Sequence, residues 1–316
     1  MGFIIFVGDN QQIKTNPMNI TYDKITEIFY LADDFCKEFY AVLDKNSLGK
    51  NQKRKPLMSH SEIMTIMILF HYGSFRNFKH FYSYYVSFHL RSYFPKTVSY
   101  NRFVELMEKE ALALTMMLHT CCLGQDTGIA FVDSTPIRVC KNKRIKRNKV
   151  FKGLAAIGKS TMGWFHGFKL HLIINDKGEI LNFVITPGNV DDRQPLKDKK
   201  FVEKIRHKLY ADKGYIDKNL VELLFIDGIH LITGIRNNMK NTLMELQDKI
   251  LLRKRSVIET VNDELKNMCQ IEHSRHRSFS NFITNILSAI VAYCFFPKKP
   301  AIKYEIVKSD QLSLFI

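Results

Sequence analysis

The hydrophobic period of this chain changes near residue 128, and that change limits the fold more than any other feature. Before it, apolar residues recur at helical spacing over residues 19–43 and again in the stretch IMTIMILFHY. Ser59 and Glu62 introduce that stretch as a capping box. A long helix is expected over about residues 99–122. After the change, IAFVDST (129–135) reads as a short core strand ending in an acidic residue. GFKLHLIINDKGEILNFVITPGN (167–189) reads as two strands joined by a turn at residues 175–178. The chain then alternates: a helix over about 194–207, the strand KLYAD (208–212), a helix over about 216–227 and the strand IHLITGI (229–235). A helical block from about 251 to 268 and an apolar C-terminal helix complete the pattern. This order predicts an α/β fold, a mixed sheet with flanking helices, preceded by a mainly helical N-terminal domain. The division expected is 1–125, 126–296 and a tail over 297–316, with a polar linker at 46–56 inside the first part.

Composition narrows the class further. Of 316 residues 46% are hydrophobic and 25% charged, with only 15 Gly and 8 Pro, which excludes collagenous, low-complexity and mainly disordered chains. The 47 Lys and Arg exceed the 31 Asp and Glu by 16, so a polyanionic partner is favoured, nucleic acid ahead of an anionic membrane surface. An AT-rich genome also raises Lys, so the charge alone leaves the partner open. Six cysteines without a CxxC pair suggest a reducing compartment rather than a disulfide scaffold or zinc ribbon. The apolar start MGFIIFVGDN lacks a preceding basic region, which argues against secretion. ILSAIVAYCFFP (286–297) falls short of the roughly 20 residues a bilayer span needs and reads as a buried helix, so no membrane partner is expected. The aromatic-rich segment FKHFYSYYVSFHLRSYF between two helices fits a DNA-contacting helix-turn-helix or the core of a small bundle equally well.

Three carboxylates are marked by their context. Asp133 and Asp212 each end an apolar strand, and the carboxyl ends of neighbouring strands in an α/β sheet converge on one crevice. Two carboxylates there repel unless a cation lies between them, so a divalent metal site is a candidate; each aspartate taken alone also suits a cap or turn. Glu259 follows Arg255 by four residues and precedes Lys266 by seven, so one helix face presents an acid between two bases, with Asp263 near it. Phosphoryl transfer requires that set of charges, and an ordinary surface ion pair between Arg255 and Glu259 has the same spacing.

The densest charge lies beside Asp133. RVCKNKRIKRNKVFK (138–152) holds eight bases in fifteen residues and no acid: Arg138, Lys141, Lys143, Arg144, Lys146, Arg147, Lys149 and Lys152. As a loop flanking an acidic cleft it would attract a phosphate backbone that the carboxylates repel. Competing features are weaker. Asp191 and Asp192 are adjacent acids that compete with Asp212 as a ligand, although Asp192 also suits a helix start. His273, Arg275, His276 and Arg277 have no partner that makes a zinc motif. Trp164 and His166 are candidates for the cleft wall or for packing.

These pieces, in this order, resemble the DDE transposases of bacterial insertion sequences. The resemblance rests on FVDSTPIRVCKNKR, GWFHGFKLHLIINDKGEILNFVITPGNVDD, LYADKGYID and RKRSVIETVNDELKNMCQIEHSRHRSFSNF, and spans about residues 128–296. It implies a ribonuclease-H-like catalytic domain whose three acids are Asp133, Asp212 and Glu259. Arg255 and Lys266 match the family's basic helix positions, while Leu252 stands where relatives often carry Tyr. The implied activity is Mg²⁺-dependent DNA cleavage at element ends and strand transfer into target DNA. Two Mg²⁺ ions are expected on the all-oxygen ligands, with Mn²⁺ as a substitute. The implied partners are double-stranded DNA, both terminal inverted repeats and target, and a second copy of the chain in an active homodimer. The implied setting is cytoplasmic and nucleoid-associated. A ribonuclease-H-like nuclease without strand transfer and an inactive DNA-binding remnant remain as alternatives; a small-molecule hydrolase leaves the basic tract without a role.

Overall fold

The computed structural model describes residues 20–46, 56–235, 239, 244–272 and 276–303. The apolar N-terminus, most of the linker, His273, Arg275 and the tail beyond residue 303 lie outside the described residues.

The N-terminal part is helical, as the 3.6-residue period requires. Helix α1 spans Tyr22–Asn46 and α2 spans His60–Tyr72. The capping box that opens α2 is formed: Ser59 Oγ accepts from the Glu62 N–H at 3.1 Å, and Glu62 Oε2 accepts from the Ser59 N–H at 2.7 Å. The aromatic segment begins as α3 (Phe78–His80) and continues as a π-helical stretch, Phe81–His89. Its Phe81, Tyr82 and Val86 are buried, so that face is core, whereas Tyr84 and Phe88 stay exposed. The long helix expected over 99–122 is broken into α4 (Tyr100–Lys109) and α5 (Ala111–Met117), the latter ending in a π-helical turn, Leu118–Cys122. The break is at Glu110, a buried carboxylate that draws the chain inward to accept from Tyr40 Oη at 3.1 Å and to pair with His60 Nδ1 at 2.7 Å.

The sheet is built around two long strands. Strand β1 runs Ile129–Cys140, β2 Ala156–Ser160, β3 Gly163–Asn175 and β4 Ile180–Pro187. Strand β3 lies antiparallel to β1 along nearly the whole of β1, from Ala130 opposite Asn175 to Arg138 opposite Gly167. On its other edge β3 carries β4 and β2 end to end. The β3–β4 turn is held by Asn175, whose Oδ1 accepts from the Lys177 and Glu179 N–H groups. Gly178 has φ +73° there, and a Cβ would lie 2.0 Å from the Pro300 carbonyl oxygen, so only glycine fits. A 3₁₀ turn (Pro195–Lys197) and the short α6 (Lys199–Val202) replace the longer helix expected over 194–207. Strand β5 (His207–Ala211), α7 (Lys218–Ile226) and β6 (Ile229–Thr233) follow, with β5 parallel to both β1 and β6. This is the ribonuclease-H-like mixed sheet with flanking helices, preceded by a helical region.

Alternation along β1 splits the core. Ala130 and Val132 pack with α6 and α7 residues such as Phe201, Leu220 and Leu224, while Phe131 and Ile137 pack on the opposite face with the helices that close the chain. Those helices are α8 (Leu246–Lys254), α9 (Ser256–Asp263), a π-helical turn (Glu264–Met268) and α10 (Phe279–Cys294). The single helical block expected over 251–268 is thus bent at Arg255 and widened by the π turn. Buried Asp248 fixes α8 to β5, accepting from Lys208 Nζ and Tyr210 Oη at 2.7 Å each. Helix α10 is almost wholly buried and packs on α2 and α5; among the described residues no helix is long and apolar enough to cross a membrane.

His71 joins the two halves, with Nδ1 2.6 Å from the Cys269 carbonyl oxygen in a fully buried position. Burial pushes its pKa down to about 4. The unfolded chain therefore takes up this proton first, so the stability His71 confers is complete above pH about 6.5 and is lost as pH falls toward 4. We expect urea unfolding to lose about 2–3 kcal/mol from this residue between pH 7.5 and 4.5. His71→Gln should remove that part of the pH slope; an unchanged slope would place the proton uptake elsewhere.

Candidate active site at the ends of two parallel strands

Asp133 does not end its strand. Residues 134–136 continue β1 to Cys140, because β3 keeps pairing with it, whereas the parallel pairing with β5 stops at Phe131 opposite Tyr210. Pro136, which has no N–H to give, is accommodated where β1 has only one partner. Asp133 therefore sits two residues beyond the point where β5 departs, on the face that also presents Phe131 and Ile137. Asp212 immediately follows the last residue of β5. Asp133 within β1 and Asp212 just past β5 thus each lie two residues beyond the last parallel pair, Phe131 opposite Tyr210, at the same end of that pairing.

Asp133 is half-buried and accepts a hydrogen bond from Asn262 Nδ2 at 3.2 Å. Burial pushes its pKa up to about 6, helped by the negative charges of Glu259 and Asp192; the Ser134 N–H and the Arg255 guanidinium oppose the shift. A carboxylate so placed gains from a nearby cation. Asp212 is exposed and caps its own turn, accepting from the Lys213 N–H at 2.6 Å. Glu259 on α9 is exposed and paired with Arg255 at 2.9 Å, the i,i+4 ion pair that its spacing also allowed. Lys266, on the π turn, is largely buried, 3.9 Å from Glu272 and within electrostatic reach of Arg138 and Asp133; burial lowers its pKa.

Each of the three acids thus has a local partner. Among the described residues no three His, Cys, Asp or Glu side chains are gathered closely enough to hold a metal ion. The donors nonetheless suit Mg²⁺: all are carboxylate oxygens, and the raised pKa of Asp133 reports first the burial of its charge and only then the negative charges of Glu259 and Asp192.

Several contributors carried no sequence signal of their own. Ser134, on the opposite face of β1, donates to Asp192 Oδ1 at 2.7 Å, and Lys169 reaches the same oxygen at 2.9 Å. Asp192 is thus bonded to Ser134 and Lys169 and within electrostatic reach of Asp133. Tyr215 is buried among Asp133, Asp192 and Asp212, its hydroxyl without a formed hydrogen bond and its pKa raised by burial first and by those carboxylates second. Asn262 was readable only as a polar residue three positions after Glu259 on one helix.

The basic tract is not a plain loop. Arg138 lies in β1, and residues Asn142–Arg147 form a 3₁₀ turn, tied to β3 by Asn142 Nδ2, which donates to the Trp164 carbonyl oxygen at 2.9 Å. Arg138, Lys141, Lys143, Arg144, Lys146, Arg147, Lys149 and Lys152 are all exposed, and no ion pair among the described residues involves them. Eight unneutralised cations thus extend from the strand that holds Asp133.

Residues 123–279, which include every element just described around Asp133, match the family model of the transposase DDE domain. The chain carries a DDE transposase domain. A solved piggyBac transposase synaptic complex with hairpin DNA is similar in fold at TM-score 0.46 and 8% identity, over 86% of this chain and 73% of that one. No curated protein matches the chain in sequence. Within the DDE domain, Asp133 and Asp212 come from the sheet and Glu259 from a helix that Asp248 fastens to β5 through α8.

The strain at Asp133 has a measurable sign. With its folded pKa raised, the ionised carboxylate destabilises the DDE domain at neutral pH. In chelator at pH 7.5, Asp133→Asn should stabilise the chain by about 1–3 kcal/mol. Added Mg²⁺ should raise the melting temperature of the wild type and not of the variant. An equal response to Mg²⁺ in both would remove Asp133 from the metal site.

Proposed function

We propose that the protein is a transposase that cleaves DNA at the ends of a mobile element and joins the freed 3′ end to target DNA. The observation that carries this reading is the half-buried, charge-strained Asp133 on the strand that leads into an exposed basic tract, within a DDE domain. Asp133, Asp212 and Glu259 would hold Mg²⁺, with Mn²⁺ as its substitute. Two bound ions supply activation of a water or 3′-hydroxyl and stabilisation of the leaving 3′-oxygen. The protein's own part is positioning. The tract from Arg138 to Lys152 draws in the phosphate backbone, so that the scissile phosphate meets the carboxylates against their own repulsion. Arg255, once released from Glu259, and Lys266 would steady non-bridging phosphate oxygens. Asn262 orients Asp133. In this reading residues 1–125 contact the terminal inverted repeats, and two copies pair two element ends in a homodimer that acts at the nucleoid.

One observation favours a second reading. Glu259 is held by Arg255, and the three acids are not gathered. A chain that stays in this arrangement binds DNA without cutting or joining it, as an inactive remnant; a nuclease that hydrolyses without joining would still need the three acids gathered on the metal.

Labelled DNA from both borders of the gene's own locus separates these readings. With Mg²⁺ the transposase reading expects cleavage and joined product, both lost in chelator. It also expects Asp133→Ala, Asp212→Ala and Glu259→Ala each to reduce the rate on the order of 10³-fold or more while DNA binding persists. Cleavage without joining supports the nuclease, and binding without cleavage supports the remnant. Full cleavage by any of the three variants contradicts both enzymatic readings.

A further inference from the structure

A cavity of about 880 Å³ opens where the N-terminal helices meet the start of α10. Its lining comes from both halves of the chain: residues 76–79 after α2, helix α4, and residues 276–285. None of the three candidate acids borders it, nor does the basic tract from Arg138 to Lys152. Its volume lies within the range of small-ligand sites.

The charge around this cavity has one sign. Arg76, Lys79 and Arg277 line it, all three exposed, and its lining holds no Asp or Glu. Among the described residues no ion pair involves any of the three. Lys79 lies instead over the Tyr100 ring, its ammonium 5.9 Å from the centroid. Arg76 and Lys79 belong to the N-terminal half and Arg277 to the other, so the fold itself gathers like charges around one space. Their mutual repulsion is relieved when an anion is bound among them.

The rest of the lining has a different character. Phe78 and Tyr100, both half-buried, form an aromatic wall with ring centroids 6.4 Å apart. Asn281 Oδ1 and His276 Nε2, on lining residues of the other half, are buried atoms without a hydrogen-bond partner. Burial lowers the pKa of His276 to about 4, so at neutral pH its ring is an uncharged hydrogen-bonding group. A buried polar atom left unpaired destabilises the fold, and a ligand that pairs with it removes that penalty.

A bare inorganic anion would answer the cations and leave the aromatic wall and the unpaired atoms untouched. Duplex DNA across the cavity mouth would do the same, because its base faces are covered by their neighbours. A planar, hydrogen-bonding ring that carries several phosphates meets every one of these demands. We infer that the cavity binds a free nucleoside polyphosphate, with its ring against Phe78 and Tyr100 and its phosphates on Arg76, Lys79 and Arg277. Held by both halves, this ligand fastens the N-terminal helices to α10. The inference stands apart from the DNA-acting reading above, since the two sites share no residue.

Equilibrium dialysis of the full chain in chelator, against each of the four common ribonucleoside triphosphates in labelled form, tests the assignment. At least one should bind with a stoichiometry of one, and tripolyphosphate alone should bind about tenfold more weakly or worse. Arg76→Ala and Arg277→Ala should each weaken the tightest of the four by about tenfold or more. Both side chains are exposed, so urea unfolding of the unliganded variants should stay close to that of the wild type. The bound triphosphate should raise the melting temperature of the wild type and not of Arg277→Ala. Lys146→Ala, in the basic tract, should bind it as the wild type does, and saturating duplex DNA should not displace it. Failure of all four to bind overturns the inference, as does equal binding of tripolyphosphate. An unchanged affinity in Arg277→Ala, or a loss in Lys146→Ala, puts the nucleotide on another surface and also overturns it. Displacement by duplex DNA assigns these cations to DNA, which overturns the nucleotide site and leaves the DNA-acting reading intact.

Discussion

Everything near the candidate site depends on the unequal pairing of β1. Its antiparallel partner β3 follows it for most of twelve residues, but its parallel partner β5 leaves after Phe131. The remainder of β1 is held rigidly from one side and open on the other. A polar residue just past that point can be neither fully buried nor fully solvated, and Asp133 is that residue. Its alternating neighbours divide the work: Phe131 and Ile137 anchor one face in the core, while Ser134 turns to the other face and binds Asp192.

The same geometry separates charge along one strand. Asp133 and Asp212 lie where β5 departs, with Asp192 bonded to Ser134 on the other face of β1, whereas the far end of β1 leads into the basic 3₁₀ turn. The first group repels a phosphate backbone and the second attracts one, so the proposed DNA substrate would be held where neither charge alone would keep it. The closing helices tune this field. Arg255 sits at the bend between α8 and α9 and lowers the charge strain on Asp133, and the π turn after α9 brings Lys266 near both Asp133 and Arg138. Helical bulges of this kind recur at functional sites because they redirect a side chain without ending the helix.

Much of the fold could be read from the chain because single-period signals are strong there. The capping box of α2, the β3–β4 turn at Asn175, strands β5 and β6 and the buried α10 follow from residues local to each element. What escaped depends on partners distant in sequence. The string Ser134–Thr135–Pro136 looks like a strand end, and only β3 alongside makes it strand. Strand β2, only five residues long with Gly158 at its centre, is a strand because β3 presents an edge. Glu110 interrupts a helical pattern because Tyr40 and His60 await it. At the site, Asp133, Asp212 and Glu259 were visible as isolated acids in marked contexts. Ser134, Lys169, Asn262 and Tyr215 were not, since each matters only through a neighbour that the fold supplies.

The central claim is that Asp133 within β1, Asp212 just past β5 and Glu259 on α9 form a site for divalent cations. Crystals of the protein with DNA and Mn²⁺, measured at the manganese absorption edge, test it most directly. The account predicts anomalous density bounded by the carboxylates of Asp133, Asp212 and Glu259, with Glu259 turned away from Arg255. Density seated on Asp191 and Asp192 without Asp133, or no density in this crevice while DNA is bound, would contradict it.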